Sequence, residues 1–116
     1  MATIKAYTDI SQSKTLSKIL PLESSDMYWD LLSKDKYAKV NNIGHCLCRT
    51  CVYAWSLAAL LGVLPRVDIE KEICSDDTYD YRVKAYIGDG YIGDWFDNPV
   101  DACVDMVKNL NELNLL

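Results

Sequence analysis

From Val67 to Phe96 apolar and charged side chains alternate, and no other stretch restricts the folding of this chain as tightly. Val67, Ile69 and Ile73 share one parity, as do Tyr79, Tyr81, Val83, Ala85 and Ile87, then Tyr91 and Trp95. Asp68, Glu70, Glu72, Asp80, Arg82, Lys84 and Asp94 hold the other. A side-chain period of two with one apolar face belongs to half-buried strands, so an antiparallel three-stranded meander is expected. If odd-numbered residues face inward on every strand, paired positions sum to an even number and both loops have odd length. A Gly88-Asp89-Gly90 loop closing Ile87 on Tyr91 meets that condition, with Gly90 in the left-handed region. At the first hairpin two registers meet it. One sets Glu70 opposite Arg82 and Asp68 opposite Lys84; the other sets Glu72 opposite Arg82 and Glu70 opposite Lys84. Both oppose acid and base on the outer face.

Helices are expected on either side. Cys51 to Leu61 (CVYAWSLAALL) reads as a helix with Thr50 as N-cap, ended by Gly62 and Pro65. Ser56 is its only strongly polar side chain. A helix apolar all round needs cover on more than one side. The meander can supply one side and the N-terminal segment the other, so the second half is not expected to fold without the first. The C-terminal helix starts at Asn98-Pro99 with Asp101 in its first turn. Its buried stripe is Val100, Cys103, Val107 and Leu110, supported by Val104 and Leu113. A first helix is expected over Ala6–Leu20, with Asp9-x-x-Gln12 as capping box, Ile10, Leu16, Ile19 and Leu20 buried, and Pro21 as its stop. Within residues 22–50, MYWDLL fits a helical turn or a short strand, and Asn41-Asn42-Ile43-Gly44 signals a turn. The expected product is a single α+β domain over residues 1–116. Residues 1–50 supply the N-terminal helix, which closes the core, and an irregular segment. Residues 51–116 form a central apolar helix, the meander and the amphipathic C-terminal helix.

Composition excludes some classes of function. The 116 residues are 50% hydrophobic and 25% charged, ordinary values for a folded domain. The longest apolar window, Val52 to Leu64, falls short of the roughly 20 residues that span a bilayer. The opening MATIKAYTDI lacks the basic-then-apolar layout of a secretory signal, so a cytoplasmic protein without membrane association is expected. A net charge of −5 argues against nucleic acid as partner. The basic residues are scattered, and Asp35 interrupts the one cluster, Lys34, Lys36 and Lys39. Five cysteines without an export signal imply reduced thiols.

The sharpest local motif is His45-Cys46-Leu47-Cys48-Arg49-Thr50-Cys51, which holds a C-x-x-C pair, Cys48 and Cys51. A structural zinc needs four such ligands, and the second pair is missing. Cys74 and Cys103 stand alone, each explicable as filler of a core. Small buried cysteines leading into an apolar helix are therefore the expected reading, and no cofactor is expected. A zinc or redox module on His45, Cys46, Cys48 and Cys51 is the alternative; a helix N-terminus there would lower a thiol pKa. A nucleophile activated by His45 is disfavoured, because adjacency in sequence is not the arrangement such sites use. Asp76, Asp77, Asp89, Asp94 and Asp97 fall at turns and caps, where backbone geometry favours Asp. No phosphate-binding glycine loop, dinucleotide fingerprint or H-E-x-x-H occurs. Nothing here points to an enzyme. Aromatic residues say more, since Tyr28, Trp29 and Tyr86 have no assigned cover, and such residues are enriched at protein interfaces. The bland alternative is that the N-terminal segment folds over them.

The order of an apolar Trp-containing helix (AWSLAALLGVLP), a short antiparallel sheet ending near DWF and a helix entered through NPVDACVDMV resembles the phage ABA sandwich domains. These occur with related small proteins of prophages and mobile elements in gut anaerobes. The opening KAYTDISQSKTLSKILPLESSDMYW is similar as well, and residues 30–50 are unmatched. The resemblance implies a phage or mobile-element source and a helix–sheet–helix fold, with no catalytic residues to carry over, and a non-enzymatic accessory protein is the reading adopted beside it. The charged outer face of the sheet departs from the family's pattern, since it implies two layers over most of the sheet. A protein partner is the first expectation, met by Tyr28, Trp29, Arg82, Lys84 and Tyr86, and a homodimer through the sheet edge or the aromatics is compatible. The alternative is a binder of a nucleotide signal using Arg82, Lys84 and Arg49.

Overall fold

Residues 5–33, 36–41 and 50–116 are described by the computed structural model of the chain, which is α+β. The chain divides into two units, Ala6–Val63 and Leu64–Leu116 with Lys5.

In the first unit, helix α1 spans Ile10–Leu16 and opens on the expected capping box. The Asp9 carboxylate accepts from the Gln12 N–H at 2.7 Å, and the Gln12 side chain accepts from the Asp9 N–H at 3.1 Å. The helix is shorter than the expected Ala6–Leu20. Tyr7 pairs with Ser56 and the Thr8 N–H bonds the Trp55 carbonyl, which holds the chain before Asp9 extended. Leu16 and Leu20 are buried and Ile19 half-buried, as the stripe requires. Ile10, at the first helical position, is exposed against expectation. After a 3-10 turn at Leu22–Ser24, MYWD forms strand β1 (Met27–Asp30). It lies between β2 (Lys39–Val40) and β3 (Cys51–Ala54) in an antiparallel sheet.

Strand β3 overturns the expected helix over Cys51–Leu61. Its residues pair with all of β1, from Met27 opposite Ala54 to Asp30 opposite Cys51. An apolar run without period fits strand or helix equally, and the β-branched and aromatic Val52-Tyr53 joins an aromatic neighbour. Helix α2 covers only Leu57–Val63. Ser56 caps it in place of Thr50, its hydroxyl accepting from the Ala59 N–H at 3.2 Å. Asp26 holds Ser56, accepting from its N–H at 2.8 Å and from its hydroxyl. The core gathers on Trp55, Leu16, Leu60 and Ala54, all fully buried. Its polar atoms are paired. The Trp55 indole N–H donates to Ser24 Oγ at 2.9 Å, and buried Thr8 Oγ1 meets Ser13 Oγ at 2.7 Å while accepting from the Trp55 N–H.

The second unit contains the expected meander: β4 (Val67–Ile73), β5 (Tyr79–Ile87), then β6 (Gly90–Ile92) and β7 (Trp95–Phe96), both paired to β5. The first hairpin takes the register that sets Glu70 opposite Arg82 and Asp68 opposite Lys84. Its turn places Asp77 in the left-handed region at φ 63°, the geometry of a three-residue loop. The second hairpin does not follow the parity rule. Ile87 pairs with Gly90 and Tyr86 with Tyr91 across a two-residue Gly88-Asp89 turn, with Gly88 at φ 59°. Two-residue turns of this sort match the twist of the strands, and that preference prevailed. The one-residue shift turns Tyr91 and Trp95, expected inside, onto the charged face, and brings Ile92 and Phe96 to the inner one. Between β6 and β7 the chain passes Gly93 at φ 144°, where a Cβ would lie 2.2 Å from the Val83 carbonyl oxygen. Only glycine fits there.

Helix α3 (Pro99–Glu112) packs on β5 and β7. The Asn98 side chain accepts from the Asp101 N–H at 2.8 Å, and Lys5 pairs with the Asp101 carboxylate at 2.8 Å. Val100, Cys103, Val104, Val107 and Leu110 are buried as expected, with Ala102 and Met106 beside them. Leu113, expected in the stripe, caps the helix and is exposed. Under α3, Val83 and Ala85 are buried, but the inner face is open farther out, where Ile69 is 50% and Ile73 67% exposed. Among the described residues no helix is long and apolar enough to cross a membrane.

Candidate interaction surface on the outer face of the sheet

The shifted register assembles on one face residues that the alternation alone would divide. Glu70 of β4 stands at the centre. Its two carboxylate oxygens accept from Arg82 Nη2 at 3.2 Å each, and Lys84 Nζ lies 2.8 Å from Oε1. The Arg82 guanidinium carbon is 4.5 Å from the centroid of the Trp95 ring and 5.2 Å from that of Tyr91. Lys84 Nζ is 4.2 Å from the Tyr91 centroid and 5.6 Å from that of Tyr86. Tyr86 and Tyr91 meet edge to face at 6.3 Å, and the Tyr86 hydroxyl donates to Asp68 at 2.7 Å.

Each cation is thus held between a carboxylate and the face of a ring, which fixes both long side chains. The Lys84 ammonium bond holds the Glu70 carboxyl below its ordinary range, and Glu70 in return raises the lysine. The Asp68 carboxylate raises the Tyr86 phenol by accepting a hydrogen bond from its hydroxyl. The Arg82 and Lys84 side chains are each 17% exposed, whereas Tyr86 is 59% and Tyr91 50% exposed. The face therefore presents aromatic rings over a charge-balanced, pre-ordered layer. Among the described residues, the buried Nε of Arg82 has no hydrogen-bond partner.

Of the residues expected at an interaction site, Arg82, Lys84 and Tyr86 come together here. Tyr28 and Trp29 belong to the Ala6–Val63 unit, in β1. Trp29 is half-buried, donates its indole N–H to the Thr8 carbonyl at 3.0 Å and meets Tyr7 edge-on at 5.7 Å. Those bonds give it a role in packing. Tyr28 is half-buried opposite Lys39 and Tyr53. Tyr91 and Trp95 complete the cluster and are new to it. Gly88-Asp89 is itself a two-residue hairpin signal that could have placed them there.

His45, Cys46, Cys48 and Arg49 lie outside the described residues. Cys51 begins β3 opposite Asp30, so the helix N-terminus expected at its thiol is not formed there. The Cys74 thiol is raised, first by its bond to Asp80, and burial pushes Cys103 up to about 11. Among the described residues no three His, Cys, Asp or Glu side chains are grouped to hold a metal ion. A shallow groove of about 490 Å³ runs between the Tyr91–Asp94 segment and Asn109, Glu112 and Leu113 of the α3 end. Beside it the Asp105 carboxyl is raised, by burial first and then by Asp94.

Comparison with protein-family models, with curated proteins and with solved structures found no match.

Proposed function

We propose that this chain is a non-catalytic accessory protein of phage or mobile-element type, working in the cytoplasm by holding another protein against the outer face of its sheet. The exposed Tyr86–Tyr91 pair over the cations tied by Glu70 carries the reading. Aromatic residues and arginine dominate the energetics of protein interfaces, and ordering them in advance lowers the entropic cost of association. Arg82 and Lys84 are already engaged by the one Glu70 carboxylate and stacked on rings, so the face suits a flat protein surface better than a free phosphate. The net charge of −5 favours a partner with a basic site and speeds its encounter. The mobile-element origin is supported by the resemblance in AWSLAALLGVLP, DWF and NPVDACVDMV.

A second reading has one observation in its favour. The unpartnered Nε of Arg82 is a buried donor that a nucleotide signal could use once the side chain swings out. Native mass spectrometry after incubation in a host lysate separates the two, since a protein partner adds a protein-sized mass and a nucleotide roughly a few hundred daltons. With Tyr86→Ala and Tyr91→Ala combined, capture should fall at least about tenfold while the circular dichroism stays the same. A gain of nucleotide size, or capture indifferent to the double variant, would sink the proposal.

A further inference from the structure

Strand β4 is a free edge, paired among the described residues with β5 alone. The Cys74 N–H bonds the Thr78 carbonyl at 2.8 Å, which sets the phase of the ladder. Bonded positions alternate along an antiparallel pair, so Asp68, Glu70 and Glu72 turn their backbone toward β5. Val67, Ile69, Lys71 and Ile73 then turn their N–H and C=O groups outward. Proteins normally blunt such an edge with proline, a bulge, short length or charge. Over its seven residues β4 has no proline and no break in register. Its charges are Asp68, Glu70 and Glu72 on the outer face and Lys71 alone on the inner one, where Lys71 lies 4.0 Å from the centroid of Tyr79 and leaves Ile69 and Ile73 exposed on either side.

Charge along this edge is one-sided. Glu72 stands directly opposite Asp80, acid against acid, with Asp76 and Asp77 at the adjoining turn. Like charges in opposed positions repel, and a cation brought from outside would relieve them. A second copy of β4 would make matters worse. Antiparallel pairing about a two-fold axis at Glu70 sets Glu70 against Glu70 and Asp68 against Glu72. Moving the axis to Lys71 still opposes Glu70 and Glu72.

We propose that β4 is a docking edge for an extended segment of another protein in which Lys or Arg alternates with aliphatic residues. The segment adds as a further antiparallel strand. Its backbone bonds the outward groups of Ile69, Lys71 and Ile73, its cations lie over Asp68 and Glu72, and its aliphatic side chains extend the exposed face of Ile69 and Ile73. This rests on the reading of the chain as a binder of proteins, but on the backbone edge of β4, which adjoins the Tyr86–Tyr91 pair at Asp68 and does not use the rings.

The test is an NMR titration of the full chain with three synthetic peptides of about nine residues. One alternates Lys and Val, one alternates Glu and Val, and one has the Lys/Val composition with the alternation broken. The alternating basic peptide should shift the Val67–Ile73 amides and bind at least about tenfold tighter than either control. Lys71→Pro removes an outward N–H and no bond to β5, so the hairpin should persist while binding falls about tenfold. Glu72→Lys, which also relieves Asp80, should narrow the lead of the Lys/Val peptide over the Glu/Val peptide. Tyr91→Ala should leave this binding unchanged, which keeps a failure here distinct from a failure of the outer-face surface. Equal binding of the shuffled peptide, indifference to both β4 variants, or shifts centred away from β4 would overturn the proposal. Self-association through β4 seen in sedimentation would overturn it too.

Discussion

Gly93 shows how much one residue can carry. At φ 144° and with a Cβ position 2.2 Å from the Val83 carbonyl oxygen, it lets the β6–β7 segment stay against β5 without a break in register. The same register sets Trp95 under the Arg82 guanidinium, so the outer face depends on a residue that takes no part in its contacts. Gly93→Ala meets both a backbone clash and a conformation that side chains rarely adopt. It should cost about 2–4 kcal/mol in urea unfolding and pull Trp95 from its place. A loss below about 0.5 kcal/mol, within the range of ordinary surface changes, would show that the segment shifts freely.

Among the elements, those with local signals were legible in the sequence. Asn98-Pro99 and Asp9-x-x-Gln12 announce helix starts through atoms within a few residues, and both caps form. The register of the first hairpin was narrowed to two by parity, both pairing acid with base on the outer face, and one of them is observed. Cys51–Ala54 was not legible. What makes it a strand is β1, more than twenty positions away, and an apolar run carries no period to reveal such a neighbour. The second hairpin was misjudged because Tyr91 and Trp95 were given the core on hydrophobicity alone. Over Arg82 and Lys84 the rings find cations to stack on, an outward placement that the parity rule did not weigh. The site was therefore half legible: Arg82, Lys84 and Tyr86 from alternation, their aromatic cover only from the turn. Hydrogen exchange offers a check at this scale. Amides of Glu70 and Glu72, turned to β5, should exchange at least about tenfold more slowly than those of Lys71 and Ile73, turned to solvent. Uniform protection along β4 would mean that its edge is covered.

For the whole molecule, stability should depend on pH through carboxyl groups that act in opposite directions. Glu70 and Asp76 are lowered in the fold, the latter chiefly by the Thr78 side-chain bond, and Asp105 is raised. Glu70 is lowered in the fold, chiefly by Lys84, so the fold binds its proton less readily than the unfolded chain does. Its contribution is complete above the unfolded carboxyl value of about 4.3 and is lost as pH falls through the lower folded value. Asp105 is raised, chiefly by burial, so a penalty on the fold grows as pH rises past the unfolded value, is complete above the raised one and is absent in acid. Glu70→Gln should therefore make the acid limb of the stability curve shallower, with Asp76 keeping its own share. Asp105→Asn should add a few tenths of a kcal/mol near neutrality, allowing for solvent screening, and nothing in acid. Denaturant midpoints at a series of pH values read both. Wild-type acid sensitivity retained in Glu70→Gln would remove Glu70 from the explanation. Acidification also brings the net charge toward zero near the pI of about 4.7, so such measurements belong at low protein concentration.

The distribution of tryptophan has a practical consequence. Trp29 and Trp55 lie in the Ala6–Val63 unit, one edge-on to a tyrosine and the other sealed from water, while Trp95 lies in the other unit beneath a guanidinium. These are the chain's three indoles, and each has its own polarity and its own nearby quenchers. Replacing Trp95 by Phe leaves an emission spectrum that belongs to one unit. Replacing Trp29 and Trp55 leaves one that belongs to the other. The protein thus carries built-in optical labels, by which the melting of each half can be followed without attaching a dye.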